Sequence, residues 1–186
     1  TLSGGSAGAH IVLEYGLNGA AYGYDPTTMP AIDAVVAISP ATDLNSDWLH
    51  DGFDAGGPLN NDDLADLAFQ AVANGDPDRL AAANPINHVG DGTQSTTKFV
   101  VMAGENDPIT PFRTQYQPFA DKMIAHGYNF TGLVSQGGDH GDYISTSTDP
   151  DYVAGVRGTG QAFLAAMTHA LALDTGRLAW STPAPP

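Results

Sequence analysis

Two short, uninterrupted apolar runs constrain this chain more than any other feature: Ala-Val-Val-Ala-Ile at 34–38 and Phe-Val-Val-Met at 99–102. Both are too short for helices, and both stop at turn-forming residues, Ser39-Pro40 and Gly104. That pattern fits strands buried on both faces. A third strand is expected at 130–134. Around these runs the apolar period becomes helical. Ala9, Ile11, Val12, Leu13 and Leu17 mark a helix over 7–17 that is apolar nearly all round and therefore expected to be buried. Phe112, Tyr116, Phe119, Ala120, Met123 and Ile124 mark another, ended by Gly127 as its C-cap. Val153, Val156, Phe163, Leu164, Met167 and Leu171 mark a long C-terminal helix. Strands alternating with helices make an α/β fold, a mostly parallel sheet with helices on both faces.

The stretch 43–58, rich in Asp, Gly and Asn, reads as a long loop. Asn61 then caps a helix bearing Leu64, Leu67, Ala68, Ala71 and Val72, with Gly75 beyond its end, and a short helix opens at Pro77. Together, residues of about 43–88 form a cap-like insertion in a single domain spanning 1–186. The tail at 181–186 is expected to be extended. With 21 acidic against 6 basic residues the net charge is −15, which argues against nucleic acid as a partner. The absence of cysteine removes disulfides, thiolate metal sites and a cysteine nucleophile. No apolar run approaches the roughly 18 residues of a membrane-spanning helix. The compartment stays open, and no cofactor is implied.

The chemistry begins at Gly4-Gly5-Ser6-Ala7-Gly8, a G-x-S-x-G pattern in which a serine rides a sharp turn between a strand and a helix. Such a turn needs small neighbours, because a larger side chain two positions away collides with the strand or helix. The alternative is a glycine-rich helix cap in which Ser6 is only a capping residue. Only Thr1-Leu2-Ser3 precede the motif, so the body of its strand is expected elsewhere. Asp107 follows the strand at 99–102 in Gly104-Glu105-Asn106-Asp107-Pro108, a position that points to the carboxyl edge of a parallel sheet. Glu105 is the rival acid, and a local turn with Pro108 is the plainer role for Asp107. His140 lies in the glycine-flanked loop after the last strand. The other histidines have simpler readings: His10 in the core, His126 at a helix end, and His50, His88 and His169 without supporting neighbours. His140, Asp139 and Asp142 match no familiar metal-ligand spacing. Ser, Asp and His thus follow one another in the order of one of the three well-known serine hydrolase arrangements. An imidazole is needed because a serine hydroxyl is a weak nucleophile at neutral pH, and a carboxylate fixes the imidazole's tautomer.

On these segments the chain resembles the α/β-hydrolase superfamily, within it the bacterial carboxylesterase/lipase group related to hormone-sensitive lipase. The residues carrying the likeness are Leu2 to His10, Asn84-Pro85-Ile86, Ala103 to Pro111, and Gly138 to Gly141. The likeness spans essentially all of the chain but only the C-terminal part of the family fold. It implies a serine carboxylic-ester hydrolase acting on a small ester. Ser6 is then the nucleophile, Asp107 the acid, His140 the general base, and the Ala7 backbone N–H one oxyanion donor. Two departures stand out. Gly5 occupies a place where this group commonly has an acid, and the His-Gly-Gly-type oxyanion loop that precedes the elbow in the family is absent. The N-terminal strands are therefore expected from another segment, or from an N-terminal fragment bound as a separate chain in a heterodimer. Other readings are a serine peptidase or amidase of the prolyl-oligopeptidase type, and a non-catalytic hydrolase-like fragment or binding module. Thr1 as an N-terminal nucleophile of the Ntn-hydrolase kind conflicts with the strand–helix alternation.

Overall fold

The structure is a computed structural model that describes residues 1–44, 73–90, 96–135 and 137–140. Its centre is a four-stranded parallel sheet in the order β1-β2-β3-β4, with β1 at Leu2–Gly5, β2 at Ala34–Ile38, β3 at Lys98–Gly104 and β4 at Phe130–Ser135. The apolar runs at 34–38 and 99–102 are its two central strands, buried as their composition requires. Leu2–Gly5, the strand before the serine, pairs with β2. Register brings Gly5 beside Ile38, Ile38 beside Met102, and Gly104 beside Ser135. All four strands therefore release their chains at the same edge. That edge carries Ser6, Ser39, the segment from Glu105 to Asp107, and the segment from Gly137 to His140.

The described α-helices are α1 (Ala7–Asn18), α2 (Pro77–Ala82), α3 (Pro85–His88) and α4 (Gln117–Ala125). Pro77 starts α2 with its φ already set, and the Asp76 carboxylate caps it by accepting from the N–H groups of Asp78 and Arg79. The helix expected from Phe112 onward begins instead as a π-helical turn, Phe112–Tyr116, and becomes α-helical at Gln117. Pro118 has no N–H to give the preceding turn, which is a reason for the wider first turn.

Helices α1 and α4 pack on the same face of the sheet. Ala9 and Leu13 from α1 and Phe119 and Met123 from α4 close over Val35, Ala37, Phe99 and Val101. Phe119 meets Phe130 edge to face, with ring centroids 6.5 Å apart. On the opposite face Ile38 and Met102 cluster with Leu133. The helices expected at 61–72 and 153–171, most of the loop at 43–58 and the tail lie outside the described residues.

Helix α1 is not buried all round: Ile11 is 64% exposed, while Glu14 is buried. Two residues advance a helix by about 200°, so Ile11 points away when Ala9 and Leu13 face the sheet. The Glu14 carboxylate accepts from the Tyr22 hydroxyl at 2.9 Å and lies 3.5 Å from the His88 imidazole. Burial raises its pKa, and those two partners offset only part of that effect. His88 thus has a neighbour that sequence spacing did not reveal.

Candidate active site

Ser6 occupies the turn between β1 and α1 with φ 52° and ψ −121°, a positive-φ conformation, outside the left-handed helical region, that L side chains rarely adopt. The turn is pinned from both sides. The Ser6 N–H donates to the Ile38 carbonyl at 2.8 Å, and the Ser6 carbonyl accepts from Ala9 and His10. Its side chain makes no capping bond to α1, so the capping role weighed from the sequence does not describe it. Ala7 is the first residue of α1, where backbone N–H groups lack an intrahelical acceptor.

The two outer glycines of the motif are not equivalent. A Cβ at Gly4 would run into the carbonyl of Gly8 and lie 2.8 Å from the Ala9 nitrogen, all backbone atoms that cannot swing aside. A Cβ at Gly8 would meet nothing within 4 Å. The steric rule applied to both glycines in the sequence therefore holds at Gly4 and fails at Gly8. Gly4→Ala should destabilise the protein by about 1–3 kcal/mol, as overpacking does, whereas Gly8→Ala should sit within about 0.5 kcal/mol of wild type. Thermal melts of the two variants check this, and equal melting temperatures would refute it.

His140 reaches Ser6 across the sheet edge, its Nε2 lying 2.9 Å from the serine Oγ. Its Nδ1 lies 2.9 Å from Oδ2 and 3.0 Å from Oδ1 of Asp107. The rest of the carboxylate is fully engaged. Oδ1 accepts from the N–H groups of Ile109 and Thr110 at 2.9 and 2.8 Å, and Oδ2 accepts from the Thr110 hydroxyl at 2.7 Å. The plainer reading of Asp107, a local turn, thus describes the same carboxylate that contacts His140. Burial alone would raise its pKa, but the bonds from His140 and Thr110 outweigh that and hold it below the ordinary carboxylate range. An ionised carboxylate only accepts, so the hydrogen-bond pattern assigns the imidazole proton to Nδ1 and leaves Nε2 to accept from the serine. Exposure falls along the chain of contacts: Ser6 is exposed, the His140 side chain is 16% exposed and that of Asp107 is 0%.

The rival acid, Glu105, does not touch His140; its carboxylate accepts from the Gly137 N–H at 3.0 Å. His10 donates from Nδ1 to the Ala41 carbonyl at 2.9 Å, tying the first turn of α1 to the segment after β2. That segment is held by two buried amides. Gln115 accepts from the N–H groups of Thr42 and Asp43, and Asn84 accepts from that of Leu44. Sequence reasoning gave no individual role to Thr110, Gln115 or Asn84, although Asn84 and Thr110 lie in segments that carry the family likeness. For Thr110 a signal existed, a hydroxyl residue three positions after an Asp in a turn.

The chain matches a family model described as the alpha/beta hydrolase fold over residues 1–144. A search of the curated proteins found no match. Among solved structures it is similar to carboxyl esterase 2 of the mycorrhizal fungus Tuber melanosporum, at 22% identity and a TM-score of 0.59 over 88% of this chain and 53% of that one. It is also similar to a thermophilic esterase of the planctomycete Thermogutta terrifontis, at 22% identity and a TM-score of 0.54 over 89% of this chain and 54% of that one. A puromycin-hydrolyzing peptidase of Mycobacterium tuberculosis matches at 18% identity and a TM-score of 0.61, over 92% of this chain and 22% of that one. The chain thus spans about half the length of the two esterases and about a fifth of the peptidase.

Proposed function

This chain belongs to the alpha/beta hydrolase fold family, and we propose that within it the chain hydrolyses carboxylic esters, with Ser6 as nucleophile, His140 as general base and acid, and Asp107 as its orienting carboxylate. The observation that carries the reading is the unbroken contact from Asp107 through His140 to Ser6. Ser6 Oγ attacks the ester carbonyl carbon while His140 Nε2 takes its proton. The carbonyl oxygen becomes an oxyanion facing the Ala7 N–H. Collapse expels the alcohol, which leaves with the proton from His140, and Ser6 holds the acyl group. His140 then takes a proton from water, the hydroxide attacks the acyl carbon, and the acid departs as Ser6 regains its proton. A second oxyanion donor, contributed by a segment outside this chain, completes the hole in this proposal.

The peptidase neighbour keeps amide hydrolysis as a second reading. It uses the same groups but demands more of His140, because an amine leaves only once protonated. Two measurements test the proposal on the intact protein. A fluorophosphonate should phosphonylate Ser6 with loss of fluoride, seen by peptide mapping, and lack of labelling at Ser6 would sink the mechanism. A matched ester and anilide should be hydrolysed at rates that favour the ester; preference for the anilide would install the peptidase reading.

A further inference from the structure

We infer that Glu105 is a positioning residue for His140, the side-chain tether that holds the base-bearing segment against the acid-bearing one. The inference rests on the ester-hydrolase reading and asks how its two loops stay in register. The last paired residues of β3 and β4 are Gly104 and Ser135, and beyond them each chain is free to diverge. Backbone bonds stitch part of the gap. The Glu105 N–H donates to the Ser135 carbonyl at 3.0 Å, and the Asn106 N–H donates to the Gly138 carbonyl at 2.9 Å. Gly104 lets the two backbones touch, since a Cβ there would lie 2.5 Å from the Gly138 oxygen and 2.7 Å from that of Asp139.

Gly137 lies between those stitches. Its φ is +68°, and glycine has the widest conformational choice of any residue, so its peptide can turn with little resistance. The Glu105 carboxylate takes up its N–H at 3.0 Å. Glu105 is two positions before Asp107, and Gly137 is three before His140. One charged hydrogen bond therefore joins the backbone that places the acid to the backbone that places the base. The bond is exposed, so its worth to global stability is small. Its worth to placement is larger, because the His140 contacts at 2.9 Å on both sides tolerate little drift.

The test compares Glu105→Ala and Glu105→Gln in the full chain. Glu105→Ala should lose about 10- to 100-fold in kcat, the effect of roughly ångström misplacement, with KM within about twofold and an unchanged melting temperature. Glu105→Gln should recover most of that loss, because its amide oxygen can accept the same N–H. An alanine variant as active as wild type would overturn the inference, and so would a glutamine variant as impaired as the alanine one. A second readout needs no turnover. The His140 Nδ1 proton, held against Asp107, should give a downfield proton resonance that broadens or vanishes in Glu105→Ala. Its persistence there unchanged would also overturn the inference. If wild type proves inactive on esters while that resonance is lost in the variant, the ester reading falls and the positioning role stands. If esters are turned over and both readouts ignore Glu105, the reverse holds.

Discussion

Replacing Ser6 with alanine should lower kcat for an activated ester by about 10⁵- to 10⁶-fold while leaving KM within about threefold, as expected when a nucleophile is removed and the binding surface is kept. Ser6 Oγ is the hydroxyl set against His140 Nε2, so the proposed attack on the carbonyl is lost with it. His140 and Asp107 would still be in place, and so would the Ala7 N–H, so the residual rate should be that of water activated beside an oxyanion donor. The substitution is also structurally mild. The Ser6 hydroxyl makes no cap to α1, and its recorded partner is His140, so the melting temperature should barely move. Alanine must still adopt the φ of 52°, at a strain cost similar to that of serine. Fluorophosphonate labelling should disappear together with turnover. Ester hydrolysis surviving in this variant at more than about one per cent of wild type would remove Ser6 from the mechanism, because loss of a triad nucleophile costs on the order of 10⁶-fold in kcat.

Much of this sheet was legible because of where its strands lie. Residues 34–38 and 99–102 are buried on both faces, and burial on both faces writes itself as continuous apolar sequence. The edge strand Leu2–Gly5 has no such signature, and only the motif after it betrayed it. Helix α1 misled for a related reason. Small and branched apolar residues around its whole circumference cannot say which side meets the sheet, and Ile11 turned out to face away. Glu14 could not have been placed in the interior from sequence, since its partners Tyr22 and His88 come from outside its own helix.

The site was legible to the extent that position after a strand is legible. Ser6, Asp107 and His140 each follow a strand of a parallel sheet, and parallel strands must deliver such residues to one edge. Sequence could not separate Asp107 from Glu105 on spacing alone. The turn after β3 does separate them: Thr110 and Ile109 bind the Asp107 carboxylate and aim it at His140, while Glu105 faces Gly137. The clamping roles of Gln115 and Asn84 were out of reach, because the segment they hold lies 73 and 40 residues away, even though Asn84 itself falls in a stretch that carries the family likeness.

Asp107→Asn should cost about 10⁴-fold in kcat with the fold intact, the scale seen when a triad imidazole is left in the wrong tautomer. The geometry says why. The N–H groups of Ile109 and Thr110 both point at Oδ1, so the asparagine must keep its carbonyl oxygen there. Its NH₂ then takes the place of Oδ2, facing the Thr110 hydroxyl and the His140 Nδ1. The hydroxyl can rotate to accept. The imidazole can meet a donor only by moving its own proton to Nε2, where it faces Ser6 and can no longer take the serine's proton. Asp107→Ala should be less stable than Asp107→Asn, since it also strands two backbone N–H groups. Stability against pH gives an independent check. The folded pKa of Asp107 is lowered, so its contribution is present above the unfolded carboxylate value of about 4 and is lost as pH falls through the lower folded value. The gap in melting temperature between wild type and Asp107→Asn should therefore be widest near neutrality and close toward acid. A gap that stayed constant down to pH 2 would mean that the carboxylate's charge does not stabilise this contact, and a variant within tenfold of wild-type kcat would leave His140 oriented by something other than Asp107.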